Sequence, residues 1–335
     1  MTAPTAGVVL QGAYPPIEFE SMVRRIESVG FSNLWLTDSS LHARNSYAYL
    51  TLAAKASSRL LLGTAVTNPL TRHPAVTAVA AATVDEISGG RMILGIGAGD
   101  RPLLALGFEP ARLSSLRAAV TSIRALWSGA DVSAQDRAFS LNDAHLRFGA
   151  RSDIPIFIAA SGPKTLELAG EVADGVILLV GLFSEALGWA IERVDRGAAK
   201  AGRQRPHIAV FAYGAVADDE EAALASARSI AAWFPQTAPA ICELAGLPTS
   251  LVEEVRARYA GGEFQEAEEA ARLLPDEFVR TVALAGDGSQ ARDRIAAAVQ
   301  AGADSVHVFP LGSDRLGTIT SFAAAFASVD RGATA

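Results

Sequence analysis

Asn33-Leu-Trp-Leu-Thr37, Leu60-Leu-Leu-Gly-Thr-Ala-Val66 and Met92-Ile-Leu-Gly-Ile96 are short, nearly continuous apolar runs, and Tyr47 to Ser57 and His73 to Ile87 between them carry helical spacing. A strand that is apolar on both sides is buried on both faces, and a helix-length segment between two such strands is the crossover of a parallel pair. The same rhythm continues in both directions. Upstream, Gly7-Val-Val-Leu-Gln11 precedes a helix from Pro15 to Val29 that stops at Gly30, with Pro at the start and Gly past the end as helices prefer. Downstream, a helix is expected from Leu113 to Trp127. Pro155-Ile-Phe-Ile-Ala159, Gly175-Val-Ile-Leu-Leu179, His207 to Tyr213 and Ser305-Val-His-Val-Phe309 are each followed by a helical tract. Eight strand–helix units in 335 residues predict an α/β fold, a (β/α)8 TIM barrel, because right-handed crossovers repeated eight times close the sheet on itself.

Two segments break the rhythm. Ala130 to Gly149 is polar and turn-rich, an extended excursion before the fifth strand, and Ala217 to Val282 is Ala- and Glu-rich with periodic Leu and Val, a helical insertion after the seventh strand. Neither has the compositional break of a separate unit, so residues 1–335 are expected to form a single TIM-barrel domain. Half of the residues are hydrophobic and only 19% are charged, so some of the surface is expected to be apolar or covered in an oligomer. The net charge of −7 offers no attraction to nucleic acid or to an anionic membrane. The N-terminal residues lack a basic, then apolar, leader, and no run reaches the ~18 apolar residues that span a bilayer, so a soluble cytoplasmic protein is expected. Cys242 is the one cysteine; it sits in an apolar helical setting and is expected to be an inert buried thiol, and neither a disulfide nor a Cys-based metal site is possible within the chain. The histidines show no ligand spacing and no G-x-S-x-G elbow is present, which leaves metal chemistry and covalent hydrolysis without support.

In a TIM barrel the site is built from the loops at the C-terminal ends of the strands. Those loops carry Thr37-Asp38-Ser39-Ser40, Val66-Thr67-Asn68-Pro69, Gly97-Ala98-Gly99-Asp100, Ala160-Ser161-Gly162-Pro163-Lys164 and Pro310-Leu311-Gly312. Asp38 either caps its loop or orients a polar ligand, and Asp100 either caps a short helix or presents a carboxylate to the mouth. Gly95-Ile-Gly-Ala-Gly99 lacks the G-x-G-x-x-G spacing of a dinucleotide fingerprint; it offers a small-walled loop where a flat ring can approach the main chain. Ser161-Gly162-Pro163 opens a helix, and two readings stay open on local sequence: a plain N-cap with Pro at the first position, or an anion site on free N–H groups. His73 begins a helix and reads as structural. A redox reaction carried by a bound organic cofactor suits this set best, since the protein then positions and shields it.

Gly63-Thr-Ala-Val-Thr-Asn-Pro-Leu-Thr-Arg-His-Pro-Ala75, Thr83-Val-Asp-Glu-Ile-Ser-Gly-Gly-Arg91, Leu94-Gly-Ile-Gly-Ala-Gly-Asp100 and Phe157-Ile-Ala-Ala-Ser-Gly-Pro-Lys-Thr-Leu-Glu-Leu-Ala-Gly170 resemble the luciferase-like oxidoreductases. Within that superfamily the resemblance is to the branch of methylenetetrahydromethanopterin reductase and its bacterial relatives, over about residues 7–180 and 283–312. It implies a dimeric barrel that binds coenzyme F420 and transfers a hydride to or from a small organic substrate. The alternative is an FMN-dependent monooxygenase supplied by a partner flavin reductase; a third possibility is a barrel that has lost its cofactor and serves only to bind. The resemblance further implies a cis peptide at Ala65–Val66 backing the cofactor ring, and the cofactor phosphate at Ser161-Gly162-Pro163. The expected cofactor-binding residues are Asp38, Ala65, Val66, Thr67, Asn68, Gly97, Ala98, Gly99, Ala160, Ser161, Gly162 and Pro163, and the expected catalytic ones are Asp38 and Asp100. Many F420-dependent members carry Asp-His where this chain has Asp38-Ser39, and His42 lies three residues further on.

Overall fold

The computed structural model describes residues 3–99, 102–259 and 267–332. Eight parallel strands form a closed barrel in the order β1 (Thr5–Leu10), β2 (Asn33–Leu36), β3 (Leu61–Thr64), β4 (Met92–Ile96), β7 (Ile156–Ala160), β8 (Gly175–Leu178), β9 (His207–Val216) and β11 (Ser305–Pro310). Closure is made by the pairing of β8 with β9, Gly175 opposite His207, and of β11 with β1, Ser305 opposite Thr5. These are the eight strands expected from the apolar runs. Between β4 and β7, β5 (Val132–Gln135) and β6 (Ser140–Ala144) form a small antiparallel ribbon, the extended excursion. After β9 come six helices among the described residues: α8 (Glu220–Ala231), α9 (Trp233–Thr237), α10 (Pro239–Leu244), α11 (Thr249–Arg258), α12 (Ala267–Ala271) and α13 (Asp276–Val282).

One strand was not legible. β10 (Leu284–Gly286) is three residues long and pairs only with the end of β9, which therefore runs to Val216 rather than stopping at Tyr213. Leu-Ala-Gly carries no periodicity by which a strand is recognised; it is a strand because β9 presents it with a free edge.

The packing follows the two-residue alternation of a strand. Leu34 and Leu36 belong to the large core between barrel and helices, while Trp35 points inward to join Val9, Ile93, Phe157, Ile177, Ala209 and Phe211 inside the barrel. Near the strands' N-terminal ends the interior holds a polar chain: Trp35 Nε1 lies 3.2 Å from His307 Nδ1, and Ser305 Oγ lies 2.8 Å from Nε2 of both His307 and His207. An indole N–H only donates, so His307 Nδ1 accepts and the neutral ring carries its proton on Nε2, facing Ser305. Burial, reinforced by neighbouring His207, pushes the His307 pKa down to about 3. The floor is tight because Gly63 yields its side-chain space to Trp35: a Cβ there would fall 2.2 Å from the indole.

The block around Thr83–Arg91 has a structural task. Asp85 accepts from Arg151 through both oxygens, at 2.8 and 3.0 Å, and from Met92 N at 3.2 Å, which seats β4. Arg91 donates to the carbonyls of Ala54, Ser57 and Leu60, satisfying groups at the end of α2 (Ser46–Ala56) that the helix leaves unpaired. His73 is structural as expected: it precedes α3 (Pro74–Ser88), its Nδ1 accepts from Ala75 N at 3.1 Å, and its Nε2 lies 3.0 Å from the Ser140 carbonyl on the ribbon. Cys242 is buried and burial pushes its thiol up to about 12. Among the described residues no helix is long and apolar enough to cross a membrane, and no cluster of His, Cys, Asp or Glu can hold a metal.

Candidate active site at the mouth of the barrel

A cavity of about 570 Å³ opens at the C-terminal ends of the strands, a volume within the usual range for a small-molecule site. Its floor is the top of the barrel interior, with Val9, Ile177 and Phe211.

The wall from β3 and β4 is made of backbone and small side chains. The β3–β4 ladder breaks after Gly63 opposite Ile93; the Thr64 hydroxyl then donates to Gly95 O at 2.7 Å and accepts from Gly95 N at 3.0 Å, and pairing resumes at Thr67 opposite Ile96. Between them the Ala65–Val66 peptide is cis, and both residues line the cavity. Gly97 packs against this bulge; a Cβ on it would meet Val66 Cγ2 at 2.9 Å. Gly99 takes φ +92°, a left-handed conformation that favours glycine. Gly97, Ala98, Gly99 and Asn68 also line the cavity. The Asn68 side chain is largely committed to its own turn: Oδ1 accepts from Leu70 N and Thr71 N, and Nδ2 donates to Thr71 Oγ1. Thr67 departs from expectation. It is wholly buried and is not among the residues that line the cavity.

After β7, Ala160, Ser161 and Gly162 line the cavity, and Thr165 joins them from the first turn of α6 (Pro163–Val172). Pro163 occupies the first helical position and is not on the wall. Gly162 precedes the helix with no side-chain cap, and the first intrahelical bond runs from Leu166 N to Gly162 O at 3.0 Å. The N–H groups of Lys164 and Thr165 therefore have no acceptor within the helix, and the positive end of its dipole faces the same way. Gly162 has φ −93° and no atom within 4 Å of a would-be Cβ, so neither backbone nor packing requires glycine there. What the missing side chain leaves open is the approach to those N–H groups.

The loop after β2 brings the polar groups. Its end is fixed by Asn45, whose Oδ1 caps α2 through Tyr47 N and Ala48 N, and by Arg44, which donates to the carbonyls of Gly12 and Ala13. Asp38 reaches the cavity, but both of its oxygens are held by Arg72, Nε to Oδ2 at 3.1 Å and Nη2 to Oδ1 at 3.0 Å. Arg72 in turn lies over the Tyr47 ring, 4.8 Å from its centroid. Burial works against the Arg72 charge, yet its hydrogen bonds and attraction to Asp38 outweigh it and raise the guanidinium pKa. Burial, then the Asp38 charge, pushes the Tyr47 phenol above its ordinary value. Ser39 and His42 also line the cavity, with Ser39 Oγ 3.1 Å from His42 Nδ1. The far wall is aromatic: Tyr213 of β9 and Phe309 of β11, ring centroids 5.0 Å apart, with Trp233, Gln236 and Thr237 from α9. Asp100 lies outside the described residues.

Sequence reasoning missed Arg72, Tyr47 and the aromatic wall. Arg72 stands in the Gly63–Ala75 stretch, but nothing in the spacing links it to Asp38, 34 residues away. Trp233 and Phe234 are the conspicuous aromatics of the insertion, yet which of its helices meets the mouth is decided by packing alone.

A (β/α)8 barrel with a cavity at the C-terminal ends of its strands has the architecture of the barrel enzymes, whose sites lie at that face. The model of the luciferase-like monooxygenase family matches residues 2–305, and the chain belongs to that family. It is 35% identical over 307 residues, 89% of this chain and 91% of the relative, to the 5,10-methylenetetrahydromethanopterin reductase of Archaeoglobus fulgidus. It is 34% identical over 199 residues, 54% of this chain and 58% of the relative, to the F420-dependent glucose-6-phosphate dehydrogenase of Microbacterium testaceum. The structure of the coenzyme F420 dependent tetrahydromethanopterin reductase of Methanopyrus kandleri superposes with a TM-score of 0.84 at 26% identity, covering 96% of this chain and 98% of that one.

Proposed function

We propose that the protein is an F420-dependent oxidoreductase that transfers a hydride between coenzyme F420 and a small organic substrate at the C-terminal mouth of the barrel. The observation that carries this reading is the small-residue wall from Ala65, Val66 and Gly97 to the open N-terminus of α6 at Gly162. The residues fit such a group. Ser161 and the N–H groups of Lys164 and Thr165 would hold its phosphate, and Ala65, Val66, Gly97, Ala98 and Gly99 would lie along its ring. When bound, the deazaflavin supplies the carbon that exchanges a hydride with the substrate. Asp38, fixed by Arg72, serves as an oriented hydrogen-bond acceptor at the ring's edge rather than as a proton carrier. His42, seated against Ser39, is the group that exchanges the accompanying proton. The names of the Microbacterium relative and of the Methanopyrus structure, both of which carry F420, support the choice of F420 over FMN.

Paired titration of the protein with F420 and with FMN tests the reading. F420 is expected to bind at micromolar concentration, and preference for FMN, or binding of neither, rejects it. Replacing His42 with Gln should lower turnover by roughly 10²-fold with the F420 titration unchanged; unchanged turnover removes His42 from this role. We also infer a homodimer, supported by Val76, Val79 and Ile87, which are 53%, 42% and 37% exposed along the outer face of α3.

A further inference from the structure

The cavity has two unlike halves. β3, β4 and β7 supply the small-residue wall that ends at the α6 N-terminus, whereas β9, β11, the loop after β2 and the insertion helix α9 supply aromatic rings and short polar groups. In the second half Trp233, Tyr213 and Phe309 offer apolar surface, Ser39 and His42 offer hydroxyl and imidazole groups, and Thr237, whose hydroxyl donates to Trp233 O at 2.8 Å, offers an acceptor. Asp38 already has its charge paired by Arg72, and among the described residues no lysine or arginine lines the cavity.

We propose that this half is the substrate subsite and that it takes an uncharged, partly apolar organic molecule bearing a hydroxyl or carbonyl. A phosphate or carboxylate brought against Trp233 and Phe309 would surrender its hydration with no lysine or arginine among the described lining residues in return, a cost that hydroxyl donors do not offset. A neutral molecule meets no such penalty. Its carbon skeleton is covered by the rings, and its one oxygen needs only the donors and acceptors that Ser39, His42 and Thr237 present. The sugar phosphate named for the Microbacterium relative is disfavoured at this wall, and the overlap with that relative spans only part of each chain. The inference rests on the cofactor reading, because that reading assigns the opposite wall to F420.

The test is isothermal titration of the F420-saturated protein with two probes, cyclohexanol and glucose 6-phosphate. Cyclohexanol is expected to bind and glucose 6-phosphate not to bind at the same concentration. Trp233→Ala should weaken cyclohexanol at least tenfold. Thr237→Lys, which places a cation in the wall, should gain measurable affinity for glucose 6-phosphate. Binding of glucose 6-phosphate to the unaltered protein as tightly as cyclohexanol overturns the proposal, as does a cyclohexanol affinity indifferent to Trp233. Should Trp233→Ala not fold, the Thr237→Lys comparison decides alone: no gain in phosphate affinity counts against the subsite. Titration of F420 on the same preparation separates the two readings. Trp233-dependent cyclohexanol binding without F420 binding leaves the subsite standing and removes the cofactor assignment; binding of neither overturns both.

Discussion

Arg72 holds both oxygens of Asp38, and Asp38 is only 7% exposed at its side chain. A bidentate guanidinium–carboxylate pair this shielded is worth most when neither partner can be removed without stranding the other. Replacing Arg72 with Met should therefore cost about 2–4 kcal/mol in urea unfolding, as the buried carboxylate is left unpaired. Asp38→Asn should cost less, because an amide tolerates burial better than an uncompensated charge. Equal costs would place the importance of the pair elsewhere than in charge. The sequence exposed Asp38 as a candidate through its position at the end of a buried strand. It gave no sign that the carboxylate was already engaged, since the partner comes from the far side of the next strand–loop unit.

Among the elements, α6 separates structural from functional causes most cleanly. Gly162 has open space around its would-be Cβ and an ordinary backbone angle, so Gly162→Glu should leave the melting temperature within about 2 °C of the original. The same change sets a carboxylate where the cofactor phosphate is proposed to lie, and F420 affinity should fall at least tenfold. A large loss of melting temperature, or an unchanged affinity, would count against the anion site. α9 shows the opposite relation between sequence and element. Trp-Phe-Pro-Gln-Thr reads locally as a break in a helical tract, and its contribution to the mouth exists only because the insertion folds back over β9 and β11. The small ribbon β5–β6 was visible as an extended excursion, but its tie to the barrel, the contact of His73 Nε2 with Ser140 O, was not.

At the scale of the whole molecule, the buried histidines make stability depend on pH. His307 is held near pKa 3 by burial, with His207 beside it, while an unfolded chain presents ordinary imidazoles near about 6.5. His207 is also lowered by burial, partly opposed by Asp304. Between those values the unfolded chain binds protons that the folded one refuses. The contribution is thus complete above about pH 6.5 and is lost as the pH falls toward 3. His307 alone should remove about 2–3 kcal/mol between pH 7 and pH 4.5. His307→Asn keeps an acceptor for Trp35 and should flatten that slope; an unchanged slope in denaturant titrations at both pH values would exclude the buried chain as its source. On the outer surface, Val79→Glu should convert the inferred dimer to monomer in sedimentation equilibrium without changing F420 affinity. Persistence of the dimer would move the interface away from α3.

The order of strands and helices, the closure of the barrel and the addresses of the mouth loops were determined by the sequence itself. They follow from local causes: nearly continuous apolar runs, helix stops at glycine, and crossovers with a preferred hand. Glycines and short polar residues at the strand ends could likewise be read one loop at a time. The tertiary structure alone decided that Thr67 and Pro163 stand off the wall, that Asp38 is fixed by Arg72, that Leu284–Gly286 is a strand, and that Trp233 lines the cavity. Each of these depends on which distant segment arrives within a few ångströms, and pairings across tens or hundreds of residues leave no trace in local spacing.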